Sequence, residues 1–341
     1  MGQPLMASFF QRRAAQASRD AGALVPGVAL ASVLALLALE IAHLTILPAV
    51  LVGLLLGMAV AGFAQRPLLD QGLSFSSKHL LRIGVALLGA RVTLSEMAEL
   101  GLGAAAIAIG GLILCLGLGY ALARVAKLPR ELSFLTAAAV AICGASAALA
   151  VAAVLPRSDS RQNNACATVA AITVIGTAAM LAFPLVAVAL GLSDTDAGIF
   201  YGATLHEVVQ AVGAGFTHSP MAGEVATTVK LARVACLAPV VLLIGWWSCR
   251  GHEPIERPPL IPLFLVGFLA FAMLASLGII AGDLQRLLAE ASRFLLLVAI
   301  VGLGAKIAPR QLVAFGLRPI LVITAQSLLL AGFALGAILL I

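Results

Sequence analysis

Apolar residues run through this chain in long blocks, separated by short polar stretches, from near residue 26 to the last residue. Crossing the hydrocarbon core of a bilayer takes about 20 mostly apolar residues in a helix. Blocks of that kind lie near 26–44, 46–64, 78–95, 100–123, 131–155, 162–190, 196–218, 225–250, 260–281, 290–307 and 319–341. The pattern predicts an all-α polytopic membrane protein with about nine to eleven transmembrane segments. No stretch is long and polar enough for a separate soluble domain, so residues 26–341 read as a single transmembrane domain. Residues 1–25 carry Arg12, Arg13 and Arg19. The apolar run that follows lacks a clear small-residue cleavage site, so this stretch reads as a cytoplasmic lead-in to a retained first helix.

The loops sort by charge. With the N-terminus inside, Arg66, Lys78, Arg124, Lys127, Arg130, Arg250, Arg257, Arg310 and Arg318 fall inside, and Glu96 and Glu99 fall outside, as the positive-inside tendency requires. Two loops disobey if every block crosses. Arg157 and Arg161 would lie outside, and Asp194 and Asp196 inside. Both conflicts vanish if 131–155 dips in from the cytoplasm and returns, and 196–218 dips in from the opposite side. Broken helices that do cross are the alternative. Either way these two segments are discontinuous or re-entrant.

An internal repeat sets the organisation. Leu88-Gly-Ala-Arg91-Val92 returns as Leu303-Gly-Ala-Lys306-Ile307, and the spacing persists to Gly101 and Gly316. Upstream, Pro48 to Gly53 matches Pro262 to Gly267 with a register shift of one. Residues 46–123 therefore resemble 260–341, in opposite orientation under the topology above. Inverted-topology repeats recur in secondary transporters.

Composition narrows the chemistry. Hydrophobic residues make up 62% of the chain and charged residues 11%, so a soluble class is excluded. The net charge of +6 sits in short loops and orients the protein; it does not point to nucleic acid. Cys115, Cys143, Cys166, Cys236 and Cys249 form no CxxC pair, so neither a zinc site nor a disulfide framework is expected. No metal or other cofactor is implied. A Walker loop is absent, HExxH fails at Gln210, and GxSxG fails at Ala148; no catalytic residue is assigned.

Polar groups inside apolar segments are costly and mark candidate sites. Cys143, Gly144, Ala145 and Ser146 interrupt segment 131–155, where a break exposes backbone N–H groups that attract anions. A small-residue packing face would use the same composition. His206, Glu207 and Gln210 lie in segment 196–218. His206 and Gln210 share a helical face, and Glu207 or His206 could couple a proton. A helix end at the headgroups is the alternative. Lys230 and Arg233 read as a cationic face toward an anion, or as snorkelling residues. Arg91 and Lys306 are the repeat-related basic residues, with the same alternative. Asn163 and Asn164 read as helix caps. Glu40 and His43 receive no role.

The run Leu81-Arg-Ile-Gly-Val-Ala-Leu-Leu-Gly-Ala-Arg91, the Ile142-Cys-Gly-Ala-Ser-Ala147 element, the His206-Glu-Val-Val-Gln210 element and Lys230-Leu-Ala-Arg233 occur in this order. That set resembles the YeiH family of bacterial inner-membrane proteins, also labelled sulfate exporters, over nearly the whole chain from Pro26. The resemblance implies the cation/proton antiporter and anion transporter superfamily, with inverted repeats, discontinuous helices, a core moving against a scaffold and a homodimer. It supplies no list of binding residues. The leading expectation is a secondary active transporter of a small anion, sulfate or a related oxyanion or organic acid, coupled to a proton or sodium ion. A cation/proton antiporter using Glu207, an anion channel, and a membrane enzyme using Cys143 or His206 are the alternatives.

Overall fold

The computed structural model describes residues 3–45, 47–64, 66–91, 101–156, 160–248, 263–306 and 316–340. Glu96, Glu99, Arg157, Arg250, Arg257 and Arg310 of the loop-charge pattern, and Val92 and Ile307 of the repeat, lie outside the described residues.

The helices are α1 (Gln3–Leu44), α2 (Ala49–Ala59), α3 (Ala61–Ala64), α4 (Pro67–Phe75), α5 (Leu81–Leu88), α6 (Gly101–Leu114), α7 (Tyr120–Val125), α8 (Arg130–Ala141), α9 (Ala145–Val154), α10 (Arg161–Ala189), α11 (Asp194–Thr204), α12 (Val208–His218), α13 (Pro220–Ala235), α14 (Leu237–Ser248), α15 (Leu263–Ser276), α16 (Gly282–Ala305) and α17 (Leu317–Leu340). Single π-helical turns join α4 to α5 at Ser76–Leu80 and α6 to α7 at Cys115–Gly119. Among the described residues, six helical stretches are long and apolar enough to cross a membrane: Gly22–Leu44, Gly101–Val125, Asn163–Ala189, Pro220–Ser248, Gly282–Ala305 and Leu317–Leu340. The protein is therefore an all-α, multi-pass membrane protein.

The chain divides into two compact units. The first comprises 1–84 and 293–307. Its core joins Ala31, Ala35 and Ala38 of α1 to Val52, Leu73 and Val301. Gly27 of α1 lies against Gly72 of α4, and no side chain could fit between them. In lipid, where apolar burial does not drive helices together, such small-residue contacts allow close van der Waals packing.

The second unit comprises 85–292 and 308–341. Each unit contains a contact whose equivalent occurs in the other. In the first, Gly304 approaches the Leu54 carbonyl and Gly53 faces Val301. In the second, Gly89 approaches the Phe268 carbonyl and Gly267 faces Ala86. These are matched positions of the two sequence copies. Gly101 and Gly316, also matched, both take positive φ, at 73° and 85°.

Within the second unit, both anomalous segments fold back on themselves. A straight helix over 131–155 would separate its ends by roughly 35 Å. Instead, the first turn of α10 touches both ends: Asn164 Nδ2 donates to Glu131 Oε1 at 3.1 Å, and Arg161 donates to the Leu155 carbonyl at 3.0 Å. Segments α8 and α9 are thus the two arms of a hairpin. The expectation that Asn163 and Asn164 cap a helix is corrected here. Helix α10 already begins at Arg161, and the Asn164 amide is used to tie the base of the hairpin. Helices α11 and α12 form the second hairpin. Asp194, where it starts, meets His218, where it ends, at 3.5 Å. Helix α10 has 29 residues and is about 43 Å long. The first hairpin is tied to its start, and the second follows its end. The two hairpins therefore approach from opposite ends of α10.

Candidate functional site

Each hairpin turns where the sequence interrupts a helix. Helix α8 ends at Ile142, and α9 begins after Gly144, which holds φ 62° and ψ −119°. L-residues avoid that conformation, so glycine is required. Helix α11 ends at Leu205, and α12 begins after Glu207, an extended residue. The tips meet. A methyl group on Gly144 would lie 2.9 Å from Cγ of Glu207 and 3.6 Å from the His206 carbonyl carbon. The meeting point lies about midway along α10, where Gln210 Nε2 donates to the Thr173 carbonyl at 3.2 Å and the Gln210 side chain fills the space over Gly176.

Helix α13 runs beside the second hairpin. Gly198 and Gly202 of α11 seat against Val225 and Val229, and Gly215 of α12 lies against Gly223. This close packing carries Lys230 and Arg233 to the tips, both with no exposed surface. Lys230 Nζ donates to the Ile142 carbonyl at 2.7 Å and to the Leu205 carbonyl at 2.5 Å. Arg233 donates to the carbonyls of Val140 and Ala141 on α8, and of Gly202 and Ala203 on α11. A helix leaves its last carbonyls unpaired and carries partial negative charge there. Both cations therefore cap the C-terminal ends of the first arms, one from each hairpin. Snorkelling is overturned for both, because neither reaches a surface.

The N-terminal ends of the second arms differ. Glu207 and Gln210 form a reciprocal capping box on α12: the Glu207 carboxylate accepts from the Gln210 backbone, and Gln210 Oε1 accepts from the Glu207 N–H at 3.0 Å. Thr173 Oγ1 donates to the same carboxylate at 2.7 Å. On α9 the cap residue is Gly144, which has no side chain to offer. Ser146 is exposed in the first turn of α9, and Ala145, Glu207 and Thr173 are partly exposed. Cys143 is a buried free thiol in the turn.

His206 is 1% exposed, and its Nε2 lies 2.9 Å from the Ser327 hydroxyl on α17. The same hydroxyl lies 2.7 Å from the Ile323 carbonyl. The structure thus brings Cys143, Gly144, Ala145, Ser146, His206, Glu207, Gln210, Lys230 and Arg233 together around two touching turns. Arg91 is paired with Glu224 of α13 at 2.5 Å, and Lys306, in the first unit, with Asp70 at 2.5 Å. The sequence pattern does not single out Thr173 or Ser327. Each is a lone hydroxyl in an apolar helix, where bonding back to the helix's own carbonyls is the ordinary explanation.

A family model described as conserved hypothetical protein 698 matches residues 24–323. UPF0324 membrane protein TauZ of Paracoccus denitrificans is 40% identical over 316 residues, which cover 90% of this chain and 93% of that one. A UPF0324 membrane protein of Rhizobium meliloti (strain 1021) is 41% identical over 292 residues, covering 84% and 85%. One from Chlorobaculum tepidum is 37% identical over 297 residues, covering 85% and 82%. No solved structure matches the chain.

Proposed function

This chain belongs to the UPF0324 family of membrane proteins, the YeiH-type family that its motifs resemble, and we propose that it is a secondary active transporter of a small anion, sulfate or a related oxyanion or organic acid, working by alternating access. The observation that carries this reading is the meeting of two re-entrant turns, each the end of a broken helix, beside two buried cations. Irregular backbone at membrane depth is tolerated where it is buried in protein or lines a cavity, and binding sites of secondary transporters are built from such breaks. The matched glycine contacts of the two sequence copies support an inverted repeat, the usual framework for alternating access.

Charge favours an anion. Two helix C-termini and two N-termini meet at the tips, and their partial charges oppose one another. Among the described tip residues, the charge-bearing side chains are Lys230 and Arg233 against Glu207. The anion's place in this reading is the start of α9 at Gly144 to Ser146, where the cap residue has no side chain, with the Ser146 hydroxyl as a further donor. Lys230, Arg233, His206 and Gln210 act from behind by holding the two turns in register. Glu207 or His206 couples a proton. The protein sits in the bacterial inner membrane with its N-terminus in the cytoplasm, as a homodimer, and catalyses no reaction.

Flux in proteoliposomes tests this, with a panel of sulfate, sulfonates and carboxylates under imposed proton or sodium gradients. Saturable movement of at least one anion, weakened in Ser146→Ala, is expected. No movement of any of them under either gradient overturns the reading. The partly exposed Glu207 carboxylate favours cation/proton antiport as a second reading, for which sodium-dependent proton flux lost in Glu207→Gln is the mark.

A further inference from the structure

The two cations at the tips are not equivalent. Arg233 alone reaches carbonyls at the ends of both first arms, two on each hairpin. Its planar guanidinium holds its charge under all ordinary conditions. One fixed positive charge therefore already faces the partial negative charge of two helix ends, which together amount to about one elementary charge. Lys230 is a second cation on the same ends.

Its hydrogen bonds suit a different state. Nζ makes two hydrogen bonds, to Ile142 and Leu205, and no carboxylate lies within ion-pair distance of it among the described residues. An ammonium has three N–H donors, so one would be left over in a site with no exposed surface. A neutral amine has two donors and a lone pair. It satisfies both carbonyls and leaves only its lone pair without a partner, which costs less than an unpaired ammonium N–H. A fully buried charge without a counter-ion is costly, whereas a neutral amine in the same place is not. With Lys230 neutral, Arg233 and Glu207 balance and the tips carry no net side-chain charge. With Lys230 protonated, they carry one surplus positive charge, which a bound anion would cancel.

We propose that Lys230 is the residue that carries the coupled proton, loading it when the anion binds and releasing it when the anion leaves. This rests on the anion-transporter reading, and it moves the coupling role from Glu207 and His206 to a lysine that ties both hairpins. The proton comes from water on one side of the membrane, binds the Nζ lone pair, and returns to water on the other side when the amine re-forms. A monovalent anion then moves with one proton and no net charge. The ionisable groups facing Nζ are Arg233 on its own helix, Cys143 on the first turn, and His206 and Glu207 on the second. Glu207 is the less suitable carrier because its carboxylate accepts both the helix cap and the Thr173 hydroxyl, and protonation would cost it one of them.

The experiment compares wild type with Lys230→Gln and Lys230→Arg in proteoliposomes containing a pH-sensitive dye. The glutamine keeps an NH₂ group but takes no proton; the arginine keeps the charge permanently. Wild-type flux of a monovalent anion is expected to carry protons in fixed ratio and to ignore an imposed membrane potential, whereas sulfate moving with one proton should respond to it. Both variants should lose the proton movement from whatever anion flux they keep. Protons moving at the wild-type ratio in either variant overturn the proposal. If neither variant folds, wild type alone decides: electrogenic flux of a monovalent anion, or anion flux without protons, overturns it. If wild type moves no anion of the panel, the transporter reading fails by itself. Acid–base titration of the purified proteins then judges the lysine separately. Uptake of about one more proton per chain by wild type than by Lys230→Gln supports the assignment, and equal uptake overturns it.

Discussion

The two hairpins have the same plan and differ in how their second arms begin. Both have a first arm whose last carbonyls are held by Lys230 and Arg233. The α12 arm starts with its own carboxylate and amide, a capping box made within four residues. The α9 arm starts with a glycine in a conformation closed to other residues, which offers no cap of its own; the Cys143 sulfur meets the Ala147 amide in its first turn. A helix start that is already capped gains little from an external anion, whereas an uncapped one keeps donors to offer. The difference separates a turn that is complete by itself from one that is completed by something else.

The largest expected effect tests what the hairpins share. Arg233→Ala leaves carbonyls of both first arms buried and unpaired, so it should lower stability by at least about 3 kcal/mol. Thermal melting of the detergent-purified protein checks this, with partial rescue in Arg233→Lys. A small shift would mean that the tips hold together without it.

Gly144→Ala comes next and acts on the first hairpin alone. It forces an L-residue into a forbidden region and drives a methyl group toward Glu207, at a cost of roughly 1–3 kcal/mol. It should also abolish anion binding, because the same displacement covers the start of α9. Ligand-dependent thermal shift across the anion panel reads both effects.

Glu207→Ala acts on the second hairpin. Loss of a helix cap costs about 1 kcal/mol, and the freed Thr173 hydroxyl adds to it. If the hairpins differ as described, this variant still binds anion, and binds it no more weakly than wild type, since a nearby negative charge is removed. Weaker binding would move the anion site to the second tip. Ser146→Ala is the smallest. It should change stability by less than about 0.5 kcal/mol, because the side chain is exposed. It should weaken anion binding by about 1 kcal/mol, or roughly fivefold, through one lost donor.

Much of this arrangement is legible in the order of residues alone. The apolar blocks follow from the dielectric of the bilayer, and the chain is all helix because an unpaired backbone cannot face lipid. The two unusual segments are legible from Arg161, Asp194 and their neighbours, which would break the loop-charge pattern if 131–155 and 196–218 crossed. The breaks are legible from Gly144 and from the polar run at His206. The role of Asn164 is not, because its partner, Glu131, is 33 residues away, whereas a cap is a local feature.

The sequence by itself determined the all-helical, multi-pass character and the positions of the two breaks, because hydropathy and glycine act among neighbouring residues. Only the tertiary structure decided that both segments turn back, that their tips touch, and that Lys230 and Arg233 face carbonyl ends rather than the open amides of α9. The last of these rests on hydrogen bonds between groups 25 to 93 residues apart. A cation in an apolar helix must find a partner, but which helix ends supply it depends on how α13 packs against α11 and α12, and no local pattern encodes that.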